Sequence, residues 1–192
     1  MIGPDGAARK LAQHLADFLP ARIELLRQQQ GDVVGGPDAQ VIPRLIHFTQ
    51  VPILDVGVND WPFLLVIPMQ TNRMLLTDTL DDGTKKYDCM YLTRVFVYVR
   101  GVGFDQVSSI RGRLLLATRE VLLAKPSPGS GIKIEPAEMT EEHSDVATSE
   151  ELGGSIAASY IDVDLKVAEL LSPADPAYDT PQTVEPVIQL AP

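Results

Sequence analysis

Residues 90–100, Met-Tyr-Leu-Thr-Arg-Val-Phe-Val-Tyr-Val-Arg, constrain this chain more than any other stretch. β-Branched and aromatic side chains crowd the preceding turn of a helix but fit a pleated surface, so the run predicts a strand. With side chains alternating, Tyr91, Thr93, Val95, Val97 and Val99 share one face, which is suited to a core. Leu92, Arg94, Phe96, Tyr98 and Arg100 share the other, which is predicted to be half wet or in contact with a partner. Gly101 and Gly103 stop the strand, and Asp105 is placed to cap a helix. The apolar period then changes from 2 to 3.6, with Val107, Ile110, Leu114, Ala117, Val121 and Ala124 in one stripe widened by Leu115, Thr118 and Leu122. Lys125 suits the negative end of that helix, and Pro126 ends it. A strand, a tight turn and a helix imply a helix packed on a sheet, with Val97 and Leu114 at the contact.

The flanking chain extends this unit. Ala8, Leu11, Leu15, Phe18 and Leu19 predict an N-terminal helix over Asp5–Gln30, with Pro20 either kinking it or opening a second helix. Residues 32–40 read as a loop. Val41–Phe48 reads as a strand broken at Pro43, and Val51–Val58 as an extended segment. Trp61–Met69 is a wholly apolar run bounded by prolines, as in a strand covered on both faces. Arg73–Thr79 is a weaker strand, and residues 80–84 a turn. After the flexible Ser-Pro-Gly-Ser-Gly connector, Ile132–Ile134 is a short strand, and Glu135–Gly154 an acidic excursion. Ile161, Val163, Leu165 and Val167 alternate with Asp162, Asp164 and Lys166, a half-buried antiparallel strand within Ile156–Leu171. Five prolines in the last 21 residues exclude helix and central strand, leaving an extended arm. The expectation is therefore one α+β domain over 1–171, with a mainly antiparallel sheet, an N-terminal helix and one long helix across it. The Pro-rich arm occupies 172–192. There is no internal repeat.

Charge is distributed unevenly. Residues 1–126 carry 14 Lys/Arg and 13 Asp/Glu, whereas residues 127–192 carry 2 and 13. A free nucleic-acid binder shows a basic excess, and this chain has none. The asymmetry suits either a solvated acidic flank or head-to-tail packing of an acidic segment on a less acidic neighbour. The lone Cys89 excludes an internal disulfide. No apolar run approaches the ~18–20 residues that cross a membrane as a helix. The first residues show no basic region followed by an apolar core, so no signal peptide is expected.

Signatures of chemistry fail on spacing. His14, His47 and His143 are far apart and share no ligand pattern with Cys89. His143-Ser144-Asp145 has the letters of a triad, but adjacent residues cannot align nucleophile, base and orienting acid. Gly101-Val-Gly103 lacks the third glycine and the βαβ setting of a dinucleotide loop. Asp81-Asp82 and Glu141-Glu142 lack the alternation of a calcium loop. No catalytic, cofactor-binding or metal-binding residue is predicted, and no enzyme activity. Arg111, Arg113 and Arg119 border the helix stripe, as solvated charges or contacts to an acidic neighbour. The arm offers Tyr178, Val184, Val187, Ile188 and Leu190 for contact with another chain.

The order of elements, with five strings, resembles phage tail-terminator (tail-completion) proteins, in versions found in phages of actinobacteria. The strings are Val-Ile-Pro-Arg (41–44), Trp-Pro-Phe-Leu-Leu-Val (61–66), Val-Phe-Val-Tyr-Val-Arg-Gly (95–101), Arg-Gly-Arg-Leu-Leu-Leu-Ala-Thr-Arg-Glu-Val-Leu (111–122) and Ala-Ala-Ser-Tyr-Ile-Asp-Val-Asp-Leu (157–165). The resemblance covers residues 5–170 and excludes the arm. It implies a structural virion protein at the head–tail junction, assembled in the host cytoplasm as a ring, commonly a hexamer. Such a ring caps the tail-tube protein, docks to the head connector or neck protein, and lets DNA pass through its lumen without sequence-specific binding. The alternatives are another neck, head-completion or tail-tube protein, or a small α+β ligand-binding domain or enzyme with a dispersed site.

Overall fold

The strand predicted around Val95 runs, in the computed structural model, from Lys85 to Gly101, and the fold is laid out around it. The structure describes residues 2–30, 44–46, 61–149 and 154–173. In chain order the elements are α1 (Gly3–Gln30), β1 (Arg44–Ile46), β2 (Phe63–Thr79), β3 (Lys85–Gly101), α2 (Phe104–Ala124), β4 (Ile132–His143), β5 (Ala147–Ser149) and β6 (Gly154–Leu171). The sheet order is β1-β2-β3-β6-β4, with β5 also paired to β6. Every pairing is antiparallel except β1 with β2. The fold is thus α+β with a mainly antiparallel sheet, as the sequence predicts.

The last described strand lies inside the sheet, between β3 and β4. β6 pairs with β3 along its whole length, from Gly101↔Ser155 to Lys85↔Leu171, and its other edge takes β4 and then β5. β3 and β4 are therefore parallel with β6 between them, and α2 is the crossover that joins them across one sheet face. Gly154 lets β6 begin there, because a Cβ at that position would sit 2.8 Å from the Gly101 carbonyl oxygen.

Both helices cover the same face. α1 contributes Ala8, Leu11, Leu15, Leu19, Ile23 and Leu26, and α2 contributes Val107, Leu114, Leu115, Val121 and Leu122. The sheet meets them with Leu64, Val66, Val95, Val97, Val99, Ile161, Val163 and Leu165. Leu114 and Val97 are both fully buried in this cluster. Arg22 Nε, 2.7 Å from Glu120 Oε2, ties the two helices at their wetter margin, and that ion pair holds the Glu120 carboxyl below its usual range. The buried Thr118 hydroxyl donates to the Leu114 carbonyl at 2.7 Å, so the one polar group in the stripe is satisfied.

Three local expectations are revised and one is narrowed. α1 is one helix that continues through Pro20, so no second helix opens there. α2 is preceded by Gly103 at φ 85° and has no side-chain cap; Asp105 lies within its first turn instead. Lys125 is the residue after the last turn, and its N–H donates to the Val121 carbonyl at 2.9 Å. The apolar run and the weaker strand before residue 80 form one 17-residue strand, with register shifts after Pro68, Thr71 and Leu76. Bulges of this kind absorb a residue without ending a strand.

The acidic excursion is also mostly sheet. β4 continues to His143 with a register shift between Glu135 and Thr140, and Pro136 falls inside that bulge, where its missing N–H interrupts no ladder bond. The predicted loop at 32–40, the extended segment at 51–58, most of the strand at 41–48 and the arm beyond Pro173 lie outside the described residues.

Candidate interaction surface

Past Pro68, β2 leaves the shelter of the helices. The run Trp61–Val66 is buried, with Leu64 and Val66 in the main core and Trp61, Phe63 and Leu65 in a second cluster on the opposite face. From Met69 to Leu80 every residue is exposed. Five are large and apolar: Met69 at 46%, Met74 at 58%, Leu75 at 53%, Leu76 at 48% and Leu80 at 45%. Met74 pairs with Cys89 and Leu76 with Tyr87, which puts both on the helix side of the sheet, while Leu75 pairs with Asp88 on the other side. Apolar side chains thus emerge on both faces. Among the described residues, nothing pairs with the outer edge of β2 beyond Leu65.

This projecting wing is fastened to the sheet by polar ties. Asn72 donates to Asp164 at 2.8 Å and Gln70 to Asn72 at 2.6 Å, and Arg73 lies 2.9 Å from Asp88. At the tip, the Thr84 N–H donates to Asp82 at 2.8 Å and holds that carboxyl below its usual range, with Gly83 at φ 81° closing the turn. Side chains anchored in this way present the apolar groups from a fixed backbone.

The sheet face opposite the helices carries an aromatic row. Trp61 meets Phe63 edge-on at 4.9 Å between ring centroids, Phe63 stacks on Tyr98 at 4.9 Å, and Tyr98 on Phe96 at 5.6 Å. The row ends at Tyr160, over which the Arg94 guanidinium lies 3.8 Å from the ring centroid. Arg94 also makes two 2.7 Å hydrogen bonds to the Asp162 carboxylate, and Tyr160 donates its hydroxyl proton to Glu142. The face predicted to be half wet is half-buried at Leu92, Arg94, Phe96, Tyr98 and Arg100.

The arginines singled out in the sequence reach within their own chain. Arg111 donates to the Ser144 carbonyl and Arg119 lies 3.3 Å from Glu141, both tying α2 to the β4 side of the sheet. Arg113 is half-buried. With Arg94–Asp162, these contacts bring the near-neutral body and the acidic final third together inside one molecule. Tyr178, Val184, Val187, Ile188 and Leu190 lie outside the described residues.

No protein-family model matches the chain, and no curated protein does.

The titratable groups are dispersed. His14 is buried on α1 with its ring 4.9 Å from Phe18, and burial pushes its pKa down. His143 Nδ1 lies 2.9 Å from Ser159 Oγ, its register partner across β4–β6, rather than in line with Ser144 and Asp145. The Ser159 hydroxyl belongs to a residue only 1% exposed, so this pair joins strands and offers no open nucleophile. His47 lies outside the described residues. Among the described residues, no group of three or more His, Cys, Asp or Glu could hold a metal ion, and no helix is long and apolar enough to cross a membrane.

One buried cluster had no signal in the sequence. Glu169, 2% exposed, accepts from the Gly3 N–H at 2.8 Å and from the Tyr91 hydroxyl at 2.9 Å. Periodicity puts it only at the polar end of a strand. The docking of α1 over the end of β6 is what encloses it.

Proposed function

We propose that this chain is a structural virion protein of the tail-terminator kind, assembling as a ring, commonly a hexamer, that caps the tail tube and docks to the head connector. The observation that carries the reading is the wing: the exposed reach of β2 from Met69 to Thr79, with Met74 and Leu76 exposed on one face and Leu75 on the other. Apolar groups on both sides of a fixed ribbon are stabilised by a partner that encloses it, and an assembly subunit supplies such a partner. The order of helix, strands, helix and closing strands agrees with the pattern implied by the sequence resemblance.

The ring carries DNA through its lumen without reading sequence. An overall charge of −10 fits a passage that repels phosphates rather than gripping them. Subunit contacts in a ring are heterologous, so two different patches of each copy meet.

The test is light scattering and electron microscopy of the purified protein over a range of concentrations, with and without a purified tail-tube protein. Closed rings, and tubes capped at one end, are the expected result. A protein that stays monomeric under all these conditions overturns the reading.

A further inference from the structure

The outer edge of β2 and the C-terminal segment are matched in length, position and chemistry. Among the described residues, nothing pairs with this edge over Gln70–Thr79, ten residues spanning about 34 Å. Its backbone N–H and C=O groups form half of a ladder, as at any strand edge. The described chain ends at Pro173, whose ring lies 3.3 Å from the Cβ position of Gly83 at the tip of the wing. Nineteen residues follow.

Within those nineteen, residues 182–191 read Gln-Thr-Val-Glu-Pro-Val-Ile-Gln-Leu-Ala, also ten residues. Val184, Pro186, Ile188 and Leu190 fall on one side at period 2, with Thr183, Glu185 and Gln189 among those on the other. Its one proline excludes a central strand. An added edge strand tolerates it, because the missing N–H can point away from the ladder. Resting on the assembly reading above, we infer that residues 182–191 of one copy add as a strand to the open β2 edge of the next copy. The donor segment and the acceptor edge are the two unlike patches that a head-to-tail ring requires. Backbone bonds supply the attachment and the alternate apolar side chains cover the exposed face of the wing.

Return of the segment to its own β2 is opposed by two features. The linker 174–181 would have to reverse around its own hairpin tip, carrying Asp175 and Asp179 past Asp81 and Asp82. Pro176 and Pro181 also favour an extended course, which reaches at most about 27 Å over these eight residues. That length carries the segment outward to a neighbour at modest entropic cost.

The experiment uses two full-length chains bearing different tags, one with Thr77→Cys and the other with a single cysteine at 184, 186, 188 or 190. The native Cys89 is buried and stays in both. Mixed and oxidised gently, the two should form a disulfide-linked heterodimer in at least one of the four combinations. A chain carrying both cysteines should give linked oligomers rather than a faster-running monomer. Stopping the chain after Pro173, beyond every described strand and helix, should weaken self-association at least tenfold. A link only within one chain, or none in any combination, overturns strand exchange. So does a shortened chain that assembles as the full one does; if both then form rings, the tail-terminator reading stands without it. If the full chain never forms rings yet the heterodimer links, strand exchange stands and that reading falls.

Discussion

The Tyr91 hydroxyl donates to Glu169 Oε1 at 2.9 Å, deep under the first turn of α1, and the same oxygen accepts from the Gly3 backbone N–H. Three elements, β3, β6 and α1, are joined at one carboxylate oxygen. Burial pushes the Tyr91 phenol far above its usual range, followed by its contacts with Cys89 and Glu169. Tyr91→Phe removes the donor and leaves a buried carboxylate under-bonded, and should cost about 1–3 kcal/mol. Glu169→Gln keeps an acceptor for both donors and should cost less than Glu169→Ala. Urea unfolding of the three variants checks the order; equal losses for Gln and Ala would contradict the role given to Oε1.

The helix–sheet contact is tested by size and by charge. Leu114 is fully buried between α2 and the sheet, so Leu114→Ala should cost about 2–5 kcal/mol through lost burial and a cavity. Val97→Asp should prevent folding, because the new carboxylate would lie unpaired in the core. Melting by circular dichroism decides; a midpoint within a degree or two of the parent for either variant contradicts this packing.

On the opposite face, Arg94 holds Asp162 through two hydrogen bonds and lies over Tyr160. A lysine supplies the charge but neither the planar fork nor the stacking. Arg94→Lys should therefore cost about 1–2 kcal/mol, and Arg94→Ala more, since Asp162 would be left half-buried and unpaired. A double-mutant cycle with Asp162→Asn separates the pair from the lost packing. A coupling near zero would reduce this to a solvated contact.

His14 makes stability depend on pH in a defined direction. Burial holds its folded pKa below the ordinary histidine value, opposed by its hydrogen bond to the Lys125 backbone. The unfolded chain therefore binds the proton first. Stability from this group is intact above about pH 6.5 and falls as pH drops from there to the folded pKa. His14→Gln should flatten that slope of the melting midpoint just below about pH 6.5, while leaving the steeper losses from carboxylates at lower pH. An unchanged slope would remove His14 from the account.

Where one side chain alternates strictly with the next, the sequence alone determined the structure. Period 2 in residues 90–100 assigned both faces of β3, and period 3.6 from Val107 assigned the buried stripe of α2, because each pattern fits only one backbone geometry against a core. Pro126 likewise marked the end of α2. Elements with little burial of their own needed the tertiary structure. β4 is polar and interrupted at Pro136, and it is a strand because β6 supplies its ladder. The wing mixes polar and apolar residues, and its Met74–Leu76 run is exposed because these side chains lie outside the core that the two helices cover. Arg111 and Arg119 could have faced a neighbour on sequence grounds, and the crossover of α2 turned them towards their own β4 side. Periodicity records which side of an element is apolar; what lies against that side is fixed only when distant segments meet.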